Sequence, residues 1–252
     1  MPTFRGHVRL KIASCMATKR GHGTRFGDSV RKIFQGLLHY YGGAMKLDNF
    51  FEVSYCINLK SRPDRWEQMQ NEFYKINFYP QRFEAVQNEN PVRGCYLSHL
   101  EILKQAKKEN KSVLVLEDDA FFYEYEKDTI EKALDELYAL DDWWLFYLGA
   151  NLLSPCYQET NHLARLTWAQ STHAYGINKK HIDQILDFVE KNKTFIDVAY
   201  TNIVRQVPCY ITIPIVCIQR TDYSDIEHQE MSYDLPLKRY WENLVYKNEK
   251  TM

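Results

Sequence analysis

The chain has 252 residues, 45% of them hydrophobic and 26% charged, an ordinary globular balance that can bury a sizeable core in one large domain. Its formal net charge of −1 argues against a polyanion binder as a whole. No apolar run approaches the roughly 18–20 residues that span a bilayer, so no transmembrane segment is expected.

Residues 1–44 differ from the rest of the chain. They carry eight basic residues (Arg5, Arg9, Lys11, Lys19, Arg20, Arg25, Arg31, Lys32) against Asp28 alone, with glycines scattered from Gly6 to Gly43. A basic N-terminal arm is expected here, either flexible or an upstream extension of a start at Met45, with one short helix over 31–40. Nucleic-acid or membrane binding by the arm is the sharper alternative, but blocks of like charge are usually solvated tails. The main domain is expected over 45–252.

VSYCINL (53–59) reads as a buried strand, and Pro63 suits the first turn of a helix with Trp66, Met69, Phe73 and Ile76 at helical spacing. A second strand is expected over 82–86 and a helix over 94–108. SVLVL (112–116) is the clearest strand. Ile130, Leu134 and Leu137 mark a helix, and WWLFYL (143–148) a buried strand stopped by Gly149. A strand over 173–177 leads to a helix over 179–190 capped by Asn178. One last strand is expected over 209–218, with Pro214 at an edge or bulge, and a helix-like segment over 234–248. Strands alternating with helices indicate an α/β fold with a mostly parallel sheet, whose ligands bind beyond the carboxyl ends of the strands.

The chemistry is therefore sought after each strand. Glu117-Asp118-Asp119 follows SVLVL directly. Adjacent carboxylates repel unless a cation compensates them, and oxygen-only ligands suit Mg²⁺ or Mn²⁺; the bland alternative is a solvated acidic turn. Asn58, Arg62 and Arg65 fall between the first strand and the next helix, where guanidinium forks and helix amides attract phosphate, although Asp64 can simply pair with either arginine on the surface. Gly94-Cys95-Tyr96-Leu97-Ser98-His99 opens a helix, and a lone histidine there is more often packed than a ligand. Asp197, after Phe195-Ile196, is either a general base or a helix cap. The six cysteines show no CxxC pair, which points to a reducing compartment and no structural zinc site. The N-terminus lacks the apolar stretch of a secretory signal, so a soluble, cytoplasmic protein is expected.

Taken in order, Asn-Leu-x-x-Arg-x-Asp-Arg (58–65), Gly-Cys-x-x-Ser-His (94–99), Leu-Glu-Asp-Asp (116–119), Thr-His-Ala-Tyr (172–175) and Ile-Asp (196–197) resemble glycosyltransferase family 25. Phe83-Glu84-Ala85-Val86 and Pro214…Gln219…Ser224-Asp225-Ile226 also look like the family pattern, so the resemblance runs roughly from 53 to 226. That family contains bacterial lipooligosaccharide sugar transferases and procollagen galactosyltransferases. The resemblance implies a GT-A fold, a Rossmann-like α/β/α sandwich with a mixed, mostly parallel sheet, and an inverting transfer of galactose or glucose from a UDP-sugar. It further implies Glu117 and Asp119 on Mn²⁺ or Mg²⁺, and Asn58, Arg62, Arg65, Asp118, Ser98 and His99 around the donor. Asp197 would be the base. A third metal ligand is unassigned, with His228 one candidate. The acceptor would be a glycan or a hydroxylysine-type protein hydroxyl, with no nucleic-acid partner, and a bacterial or viral relative acting in the cytoplasm fits best. The competing readings are an inactive nucleotide-sugar-binding homologue and a metal-dependent phosphoryl-transfer enzyme.

Overall fold

The computed structural model describes residues 44–123, 127–193, 195–220, 222–224, 229–231 and 245–246. The expected arm up to residue 43, its helix over 31–40, and His228 lie outside these residues. A short helix α1 (Leu47–Phe50) precedes β1 (Val53–Asn58), α2 (Pro63–Ile76), β2 (Gln81–Glu84), α3 (Pro91–Glu109), β3 (Val113–Glu117) and β4 (Ala120–Phe122). Then come α4 (Lys127–Leu140), β5 (Leu145–Leu152), β6 (Cys156–Gln158), β7 (Leu163–Arg165) and β8 (Ala169–Ile177). Beyond a single 3-10 turn lie α5 (Ile182–Asn192), α6 (Ile196–Val204), β9 (Cys209–Thr212) and β10 (Cys217–Gln219). The pairs β11 (Asp222–Ser224) with β12 (Gln229–Met231), and β13 (Val245–Tyr246) with β6, complete the described elements.

Nine strands form one sheet in the order β13-β6-β7-β9-β5-β8-β3-β1-β2. Among the described strands of this sheet, β7 and β8 run against the others, so it is mixed but mostly parallel. Side chains alternate across a strand, and that period sorts the core into two layers. Val53, Tyr55, Ile57, Val113, Val115, Leu145 and Tyr147 meet α3, α5 and α6 on one face. Cys56, Leu114, Leu116, Phe146 and Leu148 meet α1, α2 and α4 on the other. The result is the α/β/α sandwich expected. Right-handed crossovers carry α2 and α3 to opposite faces, because β1 continues to β2 on one side while β2 returns past it to β3 on the other. The strand order thus reverses between β1 and β3, and a crevice opens beyond their carboxyl ends. No helix of the described residues is long and apolar enough to cross a membrane.

Several expected boundaries shift. α3 begins at Pro91, ahead of the glycine at 94, because Asn90 Oδ1 caps Arg93 N at 3.2 Å and proline needs no donor in the first turn. The run 209–218 is not one strand. The run is interrupted over 213–216: β9 stays in the large sheet, while β10 pairs antiparallel with β4. The helix expected over 234–248 lies mostly outside the described residues, and Val245–Tyr246 within it is a strand.

Gly149 does not stop its strand. β5 runs through it to Leu152 by shifting register against β8 on either side of the glycine. The glycine is required by packing, since a Cβ there would stand 1.7 Å from the Cys217 carbonyl oxygen and 2.6 Å from His173 Nε2. Backbone cannot yield as a side-chain tip does. Gly149→Ala is expected to cost at least about 3 kcal/mol, read as a lower urea midpoint with an unchanged slope.

Candidate active site

The crevice between β1 and β3 is a cleft of about 970 Å³, at the upper end for ligand pockets. Its floor is a polar assembly around Asp118. Asn58, the last residue of β1 and 1% exposed, donates through Nδ2 to Asp118 Oδ2 at 2.6 Å and to the Arg62 carbonyl at 3.0 Å. Arg82 donates to Asn58 Oδ1. Arg65, in the first turn of α2, donates through Nη1 to Asp118 Oδ1 at 3.0 Å. Burial nonetheless keeps the Asp118 carboxyl above its ordinary value, against the pull of Arg65 and Asn58. Arg65→Met leaves that carboxylate buried without its cation. We expect a loss of about 3–5 kcal/mol in unfolding free energy, smallest at acid pH where Asp118 takes up a proton.

Asn58, Arg65, Ser98, His99, Glu117, Asp118, Asp119 and Asp197 all line the cleft, whereas Arg62 is not among the lining residues. Its Nε and Nη2 fork onto Asp64 at 2.9–3.2 Å in an exposed pair, which holds the Asp64 carboxyl near 2. That is the surface pairing weighed as the bland alternative. The two cations separate because Arg62 is the N-cap, with non-helical backbone angles, whereas Arg65 lies within the first turn of α2.

Glu117 ends β3. The register that sets Leu116 opposite Ala174 carries Thr172 alongside it, and the Thr172 hydroxyl donates to Glu117 Oε1 at 2.5 Å. Burial opposes ionisation of Glu117, but His99, Thr172 and His173 together outweigh it and hold the carboxyl below the usual range. Asp119 is placed differently. Its Oδ2 accepts from Gln219 Nε2 at 3.3 Å, while its Oδ1 is buried with no hydrogen-bond partner. Burial first, then the charges of Glu117 and Asp118, push its carboxyl up to about 7.

The Gly-Cys-x-x-Ser-His segment explains itself in space. A Cβ on Gly94 would meet the Val86 carbonyl at 2.6 Å, so only glycine lets the loop after β2 lie on α3. Ser98 clamps that loop by accepting from Val86 N and donating to the Gly94 carbonyl, both at 2.8 Å. Cys95 and His99 stand one turn apart and face Glu117. His173, fully buried beyond Thr172, has its Nδ1 2.5 Å from Ser171 Oγ, and burial holds the imidazole down at about 4, neutral at pH 7.

Asp197 is not at a strand end. It lies in the first turn of α6, where Oδ1 accepts from Val198 N at 2.7 Å and Oδ2 from Gln170 Nε2 at 2.8 Å. Gln170, Ser171, Gln219 and Arg220 also line the cleft, and sequence reasoning gave them no role. Gln219 was visible only as part of the family pattern. It reaches Asp119 because β10 pairs with β4, where Gln219 faces Ala120.

The carboxylates fit a hard divalent cation. Asp119 supplies an orphaned, buried oxygen and a charge that Arg65 offsets only in part, and Glu117 adds a second anionic oxygen. Among the described residues, no third carboxylate, histidine or cysteine gathers around that pair; the triple that does lie together is Cys95, His99 and Glu117.

Residues 90–200 match the family model described as glycosyltransferase family 25 (LPS biosynthesis protein). A Drosophila melanogaster glycosyltransferase 25 family member is 27% identical over 56% of this chain and 29% of its own length. Procollagen galactosyltransferase 1-B of Xenopus laevis is 31% identical over 39% of this chain and 21% of its own. The chain therefore spans less than a third of these relatives. Among solved structures, a glycosyltransferase involved in glycosylation of the major capsid of PBCV-1 is 9% identical, covers 64% of this chain and 92% of its own, and has a TM-score of 0.37.

Proposed function

We propose, from the match of residues 90–200 to the glycosyltransferase family 25 model, that this chain moves a hexose from a UDP-sugar onto an acceptor hydroxyl with inversion. Galactose or glucose is the sugar, and a glycan or hydroxylysine-type protein the acceptor; relatives named procollagen galactosyltransferase support galactose and a protein acceptor. The observation that carries the reading is the half-buried carboxylate pair Glu117 and Asp119 at the strand-order reversal, one of its oxygens left without a partner.

Glu117 and Asp119 would hold Mn²⁺ or Mg²⁺, which supplies Lewis-acid neutralisation of charge growing on the departing diphosphate. Asp118, immobilised by Asn58 and Arg65, presents a fixed acceptor to hydroxyls of the ribose or donor sugar. Arg62 acts on this side through its carbonyl, which steadies Asn58. Ser98 and His99 shape the α3 wall of the donor pocket. Asp197, held by Gln170 and the α6 backbone, takes the proton of the attacking hydroxyl. Phe195, 52% exposed on the cleft lining beside it, offers the acceptor an apolar face.

The test is a screen of UDP-, GDP- and CMP-sugars with Mn²⁺, reading free nucleotide. Release from UDP-galactose or UDP-glucose, stimulated by acceptor and abolished by chelation, is the expected result. Binding of UDP-sugar without any release would leave a nucleotide-sugar-binding homologue, and release from another nucleotide would replace the donor assignment.

A further inference from the structure

We propose that Cys95, His99 and Glu117 form a second cation site in the cleft, selective for a thiophilic divalent ion such as Zn²⁺. Cys95 and His99 stand one turn apart on α3, and Glu117 ends β3 opposite them. The thiol sulfur, an imidazole nitrogen and a carboxylate oxygen all lie within 4.8 Å of one another, with His99 Nε2 already 3.3 Å from Glu117 Oε1. Tetrahedral zinc with bonds of 2.0–2.3 Å separates its ligand atoms by roughly 3.5 Å, so side-chain adjustments close the triangle without moving backbone.

The histidine is poised for such a role. His99 is fully buried, and its Nε2 makes no hydrogen bond of good geometry, facing Glu117 Oε1 at 3.3 Å. Its Nδ1 lies 2.8 Å from the Tyr175 hydroxyl, itself 3.3 Å from that of Tyr200. Where an ion replaces any proton between Nε2 and Glu117, the ring proton sits on Nδ1 and is donated to Tyr175, and Nε2 gives its lone pair to the metal, the way metal-bound histidines are braced from behind. All three ligands line the cleft, so an ion has a path in and a fourth position open to water or substrate. Sulfur and imidazole distinguish this site from the oxygen-only pair Glu117 and Asp119, favouring zinc over manganese. On binding, the Cys95 thiol loses its proton to solvent and the thiolate bonds the metal; His99 binds neutral and Glu117 as carboxylate. The cysteine spacing excluded a structural zinc site, and a three-ligand site with an open position is not one. The site does not depend on the transferase reading. One consequence does: Glu117 is shared, so bound Zn²⁺ removes a carboxylate from the donor cation and inhibits transfer.

The test titrates the full chain, free of nucleotide, with Co²⁺ as the probe. One equivalent should produce a near-ultraviolet thiolate-to-cobalt band that Zn²⁺ bleaches. Cys95→Ser should abolish the band and weaken Zn²⁺ by at least about 100-fold, since losing a ligand exceeds the 10–100-fold cost of losing its bracing partner. Manganese-supported transfer by that variant should persist and resist Zn²⁺. Absence of the band in the unaltered protein, or its survival in Cys95→Ser, overturns the site. In unaltered protein, Zn²⁺ must also slow alkylation of Cys95 mapped by mass spectrometry, a measurement independent of how the variant folds; unchanged alkylation overturns the proposal equally.

Discussion

Asp119→Asn is expected to lower kcat by more than about 10³-fold, equivalent to about 4 kcal/mol of lost transition-state stabilisation, while making the protein harder to unfold. Both effects come from one oxygen. Asp119 Oδ1 is buried without a partner, a poor arrangement for a folded carboxylate and a good one for a cation ligand. Its carboxyl is raised from 3.8 to about 7 by burial and by Glu117 and Asp118. Between those values the folded protein keeps a proton that the unfolded chain releases, so this group's contribution to stability declines as pH rises from about 4 to 7. Asparagine carries no such charge. His173 works the other way: burial lowers it from 6.5 to about 4, so the unfolded chain takes up a proton first and stability falls as pH drops below 6.5. In the parent protein the two slopes oppose each other. Asp119→Asn removes one opposing slope, leaving His173 and the depressed Glu117 carboxyl against the raised Asp118 carboxyl alone, and Tm should climb more steeply between pH 4 and 6.5. Thermal unfolding across that range, with and without Mn²⁺, checks the account. The ion should raise Tm of the parent at pH 7.5 and not that of the variant. Equal pH profiles, or retained turnover, would remove Asp119 from the metal site.

Asp197→Asn should reduce kcat by about 10²–10⁴-fold, the range for losing a general base, with the KM for donor little changed. The side chain is held at both oxygens, by Val198 N and Gln170 Nε2, and an amide of the same shape keeps its place but cannot take a proton. Because Gln170 fixes its orientation from β8, Gln170→Ala should lose part of the same activity. Steady-state kinetics with saturating donor and varied acceptor separate these outcomes. A loss of less than tenfold in Asp197→Asn would mean that the acceptor proton leaves by another route.

The local readings that held share a cause. β1, α2 and β3 were legible because alternation and helical spacing persist over five or more residues and agree with their caps. Gly149 misled because in sequence it looks like a terminator, while in space it admits the Cys217 carbonyl. The strand over 209–218 misled because a continuous apolar run does not reveal that its halves join different sheets. Of the two arginines after β1, only Arg65 turns to Asp118, because it lies within α2 while Arg62 is the non-helical N-cap beside Asp64.

By itself the sequence determined the α/β alternation, the acid cluster at the end of a buried strand, and the motif order that resembles glycosyltransferase family 25, because each is written in neighbouring residues. What tertiary structure alone decided is which carboxylate is satisfied. Asp118 receives Asn58 and Arg65 from β1 and α2, Glu117 receives Thr172 and His99 from β8 and α3, and Asp119 is left with one bare oxygen. Three identical charges in a row acquire different chemistry because burial and partners, most of them supplied by segments 53 to 100 residues away, set what each costs to ionise.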